Sequence, residues 1–191
     1  MEKRQSIRTG EQMKDVLLDQ TQTGPDVHYY MFRGGAQRGN ITLWEMGVAG
    51  REYIKTYGHF HNWDFTERYQ IISGEGIALM QKRKVIDGVT QDNIIDDFKV
   101  IRVQAGDILD IPIGYGHILS NTGDTFLITK DDSPSDPETA KIKGPHANYE
   151  PIKKLKGFAY YVVKTEGGPA LITNPLYTVE NTDFSGLSVI E

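Results

Sequence analysis

Gly58-His59-Phe60-His61, followed by Glu67 and Tyr69, holds the residues of this chain best suited to chemistry. In an extended strand, side chains at i and i+2 share a face, so His59 and His61 point together while Phe60 points away. A short connection leads to Glu67 on the next apparent strand, where Tyr69 and Ile71 share its side. A second segment runs from Gly106 to Asn121 and carries His117 behind Pro112-Ile113-Gly114, a Pro-X-Gly turn that would set the start of a new strand. Three imidazoles and a carboxylate make a mixed nitrogen and oxygen set suited to Fe, Mn, Ni, Co or Zn, with positions left for water or substrate. A lone histidine is more often an ordinary polar residue of a barrel. The combined spacing is what points to a single divalent ion held by His59, His61, Glu67 and His117.

The elements that must position these groups are strands. Runs at Val27–Phe32, Asn40–Met46, Glu52–Thr56, Glu67–Ser73, Gly76–Lys82, Phe98–Val103, Asp107–Ile111, His117–Asn121, Thr125–Thr129, Phe158–Lys164 and Ala170–Thr173 read as short strands. Gly34-Gly35, Gly74-Glu75-Gly76, Asp87-Gly88 and Asn121-Thr122-Gly123 punctuate them. Strands at this spacing predict an all-β sandwich or jelly-roll barrel. One helix is expected early, with Gln12, Met13, Val16, Leu17 and Gln20 near one face and Thr9 and Gln12 at capping-box spacing. Lys82-Arg83-Lys84 reads as a solvated hairpin tip, Trp63 as a core residue, Ser133–Gly144 as a surface excursion with a short helix at Glu138–Lys143, and the polar tail from Leu176 as a loose terminus or an arm on a neighbouring subunit. We expect one domain over 1–191, with a core at about 26–176, a helical extension at 1–25 and a tail at 177–191.

The bulk numbers narrow the class. No apolar run approaches the roughly 18 residues of a membrane span, and the N-terminal residues lead into no hydrophobic stretch that would read as a signal peptide. The absence of cysteine removes disulfides and thiolate ligands and fits a reducing, cytoplasmic setting. A net charge of −5 argues against nucleic acid as the main partner, though not against a small anion in its own pocket.

The two segments resemble the two motifs of the cupin superfamily: His-X-His, Glu67 and Gly74 in the first, and Gly106, Pro112, Gly114, His117 and Asn121 in the second. The likeness implies a double-stranded β-helix. Within the cupins the chain looks like the archaeal-type glucose-6-phosphate isomerase family, which has Gly-His-Phe-His with an extended gap before Glu-X-Tyr. Thr42 and Thr56-Tyr57-Gly58-His59 match that family early, and His146-Ala147-Asn148-Tyr149 with Lys156-Gly157-Phe158 match it late. Thr129-Lys130-Asp131 stands where the family carries a tyrosine.

The resemblance implies interconversion of glucose 6-phosphate and fructose 6-phosphate with a divalent metal, iron first among the candidates. It implies Glu67, His146 and Tyr149 as catalytic groups, and Thr42, Thr56, Gly58 and Tyr69 as substrate contacts. It also implies a cytoplasmic homodimer acting on a sugar phosphate, with no nucleic-acid or membrane partner. With no phosphate-cradling glycine loop in the chain, hydroxyls and amides would have to hold the phosphate. The other readings open at this point are a different cupin sugar isomerase or epimerase, an iron-dependent cupin dioxygenase, and a non-catalytic sugar-phosphate-binding cupin.

Overall fold

The computed structural model describes residues 5–34, 39–133 and 146–191. Its main framework is a six-stranded sheet in the order Gln5–Thr9, Val27–Phe32, Asn40–Trp44, Leu127–Asp131, Glu67–Ser73, Ile108–Ile111. Facing it are a sheet built on Tyr115–Asn121, Glu75–Ile86 and Val89–Gln104, and another containing Gly168–Thr173, Tyr160–Thr165 and Glu52–Tyr53. Alternation explains the packing: Tyr29, Trp44, Ile71 and Leu127 turn inward from the six-stranded sheet onto Ile77, Leu79, Phe98 and Phe158. This is the all-β cupin double-stranded β-helix.

Several expected elements change extent. The helix covers only Gly10–Met13, continued by a 3-10 turn at Lys14–Val16, so Leu17 and Gln20 lie beyond it. Thr9 and Gln12 do form the capping box. The residues before it, Gln5–Thr9, are not a helical extension but the edge strand of the main sheet. Lys82-Arg83-Lys84 is no hairpin tip. It lies within Glu75–Ile86, and the turn is at Asp87-Gly88. Opposite charges carry the hairpin on: Lys82 is paired in register with Asp97, and Arg83 binds Asp92 at 2.6 Å. The polar tail is not loose, because Thr178–Val179, Thr182–Asp183 and Val189–Ile190 add parallel strands to this same chain. The excursion and short helix expected at 134–144 lie outside the described residues.

Candidate metal centre and substrate pocket

Backbone pairing brings the two motifs face to face. His59 bridges His117 across antiparallel chains, with the His117 amide donating to the His59 carbonyl at 3.1 Å. His61, in the two-residue strand Phe60–His61, pairs with Ala147, and Glu67 starts the strand that runs beside Ile108–Ile111. Two glycines make this geometry possible. Gly58 has φ +83°, and a Cβ there would stand 2.3 Å from Ile118 and 2.6 Å from Phe158. Gly114, also at φ +83°, occupies the turn closed by the Tyr115 amide on the Pro112 carbonyl at 3.2 Å. Asn121 ends the second motif as a brace: its side-chain amide donates to the carbonyls of Glu45 and Thr125, and its oxygen accepts from Gly123.

Ligand atoms of His59, His61, Glu67 and His117 all lie within 4.8 Å of one another. Glu67 Oε2 is 3.1 Å from His61 Nε2 and 3.3 Å from His117 Nε2. His59 Nε2 is buried with no hydrogen-bond partner. Burial drives the His117 imidazole down to about 4 and the His59 imidazole well below its usual range, with the neighbouring histidines adding to the effect at His59. Both rings are therefore neutral and able to offer a lone pair. Burial pushes the Glu67 carboxyl up, but the hydrogen bond from His61 and the nearness of His117 outweigh it and hold the group ionised. The neutral imidazoles of His59 and His117 beside an ionised carboxylate, with His59 Nε2 and the Nδ1 atoms of His61 and His117 unpartnered, suit a divalent cation. The residues fit such an ion.

The connection between His61 and Glu67 is shaped by aromatic contacts. Phe65 stacks on His61 at 4.3 Å between ring centres. Trp63, half-buried rather than in the core, lies 5.8 Å from His146. Asn62 ties the connection to the late segment through its amide on the His146 carbonyl at 2.8 Å. That segment brings the His146 ring to 5.7 Å and the Tyr149 ring to 5.4 Å from His59. Burial lowers His146 to about 4, so it too is neutral, and raises the Tyr149 phenol, which stays protonated. Tyr69 sets its hydroxyl 3.2 Å from His117 Nε2.

These groups open on one cleft, whose walls also include Thr42, Thr56 and Gly58. Thr56 uses its hydroxyl oxygen to accept from the Leu119 amide at 3.1 Å. Every residue the sequence nominated for the site is thus at or beside this cleft, with His61 set just behind its wall. The sequence reading missed Tyr29, Arg33 and Asp131, which line it as well. Their signal was parity: Tyr29, Met31 and Arg33 alternate along one strand and its extension, as Leu127, Thr129 and Asp131 do along another. Asp131 is buried, and its Oδ1 receives Asn40 Nδ2 at 2.7 Å, Ser133 Oγ at 2.6 Å and the Ser133 amide at 3.1 Å. Burial first, and the charge of Glu67 second, raise its carboxyl to about 6.

Comparison with known families matches residues 23–175 to the family described as glucose-6-phosphate isomerase (GPI). No curated protein sequence gives a significant match. Among solved structures, a Bacillus subtilis oxalate decarboxylase is 22% identical over 49% of this chain and 20% of its own, with a TM-score of 0.35. A protein described as a predicted oxalate decarboxylase from Thermotoga maritima is 18% identical over 56% of this chain and 80% of its own, at 0.37. The Drosophila melanogaster CENP-C cupin domain is 12% identical over 54% of this chain and 65% of its own, at 0.36. The chain spans a fifth to a quarter of the length of the first oxalate decarboxylases it matches.

Proposed function

The chain belongs to the glucose-6-phosphate isomerase family, and from that premise we propose that it interconverts glucose 6-phosphate and fructose 6-phosphate with a divalent metal. The observation that carries the reading is a single cleft joining the four converging ligand atoms to a neutral imidazole, protonated phenols and two threonines. His59, His61, Glu67 and His117 would hold the ion. When bound, it would supply Lewis acidity for the two adjacent substrate oxygens whose roles exchange.

The rest falls to the chain. Glu67 moves the proton between the neighbouring carbons, as an ionised carboxylate close to that reaction path. His146, neutral, and Tyr149, protonated, hydrogen-bond the sugar oxygens, and His146 can pass a proton between them. Tyr69 steadies His117 and donates toward the same space. Thr42, Thr56 and the Gly58 backbone take the far, phosphorylated end. The buried aromatic walls, Tyr29 and Trp44 among them, exclude water from that path. The reading extends to iron as the first candidate metal, to a homodimer, and to a cytoplasmic site of action, which the lack of cysteine supports.

The test is a coupled assay on fructose 6-phosphate after chelation and after adding back Fe, Mn, Ni, Co or Zn. Activity lost on chelation and restored by metal is the expected result. A metal-replete protein without turnover, but with oxygen uptake or with binding alone, would move the chain to another cupin chemistry.

A further inference from the structure

Arg33 is the one arginine among the described residues on the wall of this cleft. It follows directly on the strand Val27–Phe32 and shares the inward parity of Tyr29 and Met31, while Phe32 is exposed on the other face. Two other arginines have carboxylate partners, Arg68 with Asp110 at 2.7 Å and Arg83 with Asp92 at 2.6 Å. Arg33 has none among the described residues. Its polar contact there is a long one, 3.9 Å to the Met31 sulfur. Asp131, the other charged group newly found on this wall, has Oδ1 saturated by Asn40 and Ser133 and forms no ion pair with it.

A half-buried guanidinium without a carboxylate, facing a cleft lined by threonine hydroxyls, is suited to an anionic ligand. Its fork of N–H donors matches two phosphate oxygens at once. Threonines and a backbone amide can hold phosphate oxygens, but they do not neutralise a dianion.

We propose that Arg33 is the charged arm of the substrate's phosphate subsite and sets the preference for a phosphorylated over a free sugar. The proposal rests on the sugar-phosphate reading above and adds to it the group that reads the charge. Phosphate is bound from two sides, by the Thr42, Thr56 and Gly58 wall and by the guanidinium reaching from the neighbouring strand.

The test compares wild type with Arg33→Met and Arg33→Lys, each loaded with metal, and with inorganic phosphate as a second probe. Arg33→Met should raise KM for fructose 6-phosphate about 10- to 100-fold, the loss expected for hydrogen bonds to a charged group. It should weaken competitive inhibition by inorganic phosphate by a similar factor, keep kcat within a few-fold, and reduce the preference for fructose 6-phosphate over free fructose. Arg33→Lys should recover part of each effect. Unchanged KM and unchanged phosphate inhibition in Arg33→Met would overturn the proposal. So would a fall in kcat at constant KM, which would place Arg33 at the reacting carbons instead. If wild type turns over no sugar phosphate, the parent reading fails. Thermal stabilisation by inorganic phosphate then still decides Arg33: a shift present in wild type and lost in Arg33→Met supports it, and equal shifts or none overturn it.

Discussion

At the residue scale, Glu67 is asked to do two things, and its surroundings allow both. It is buried yet ionised, within 3.3 Å of two imidazoles, at the start of a strand that fixes its direction. Glu67→Gln keeps an oxygen for the metal but removes the proton acceptor. Metal content, read by elemental analysis, should fall modestly, while kcat at saturating metal should fall by about 10²–10⁴, the usual cost of losing a general base. Near wild-type turnover at full occupancy would assign the proton transfer elsewhere, with Asp131 as the carboxylate to try next. Thr56→Ala should behave differently, because its hydroxyl binds the Leu119 amide and lines the cleft. Its signature is a raised KM for the phosphorylated sugar with little change in kcat. The convergence of His59, His61, Glu67 and His117 was legible in the sequence because i and i+2 spacing and a turn before His117 are local rules. Arg33 and Asp131 were not, since nothing local says that the ends of two separate strands face one cleft.

At the element scale, the surprise is the N-terminal segment. It adds the strand Gln5–Thr9 to the edge of the site sheet and lays the Arg8 guanidinium over the rings of Tyr57, at 5.4 Å, and Tyr149, at 5.9 Å. What fixes it is a buried ion pair, Lys55 Nζ to Glu52 Oε1 at 2.7 Å. Lys55 also donates to the Val16 carbonyl at 2.7 Å, and Glu52 accepts from the Leu18 amide at 2.8 Å. Lys55→Met leaves Glu52 buried without its counter-charge, so it should cost about 3–5 kcal/mol, measured by denaturant unfolding. Hydrogen exchange at Leu18 should rise with it. A loss below about 1 kcal/mol, typical of an exposed pair, would show that the clamp is not closed in solution. The clamp explains why the early helix was overread: Val16 and Leu17 are buried by docking on this pair, not by helical periodicity. The central strands were legible from alternation. The tail strands were not, because a two-residue parallel pairing leaves no pattern in sequence.

At the scale of the whole molecule, buried neutral histidines set the response to acid. His28, His59, His117 and His146 are all lowered, foremost by burial. For His117 and His146, between the ordinary value near 6.5 and about 4 the unfolded chain binds protons that the native chain refuses, so stability falls as pH falls through that window, and His28 and His59 act in the same direction. Asp131, raised to about 6, and Glu52, raised by its burial, work against this by taking a proton more readily in the native state. With two carboxyls against four imidazoles, the metal-free protein should melt lower at about pH 5 than at about pH 7. His146→Asn should flatten the slope without touching a proposed ligand. A melting temperature that is constant or higher at about pH 5 would contradict the neutral-histidine site.

The outer face of the same sheet bears on assembly. Register lines up Ile7, Tyr30, Leu43 and Ile128 in one outward row, and Phe32, Ile41, Lys130, Gln70 and Ile108 in the next. Phe32, Ile41 and Ile108 are 41%, 43% and 55% exposed, on a sheet whose other face already packs the core. Six strands at a spacing of about 4.8 Å make this face about 24 Å wide, and exposed apolar side chains such as Phe32 and Ile41, rimmed by polar residues, mark association. A second copy meeting it about a two-fold axis would bury the same rows on both partners and would leave the cleft, on the opposite side of the sheet, open to substrate. We therefore expect a dimer by sedimentation at micromolar concentration. Phe32→Glu with Ile41→Glu places like charges at neighbouring register positions on each copy and should shift the population to monomer, with metal content retained. A wild-type monomer, or a dimer unaffected by the paired substitution, would remove this face as the interface.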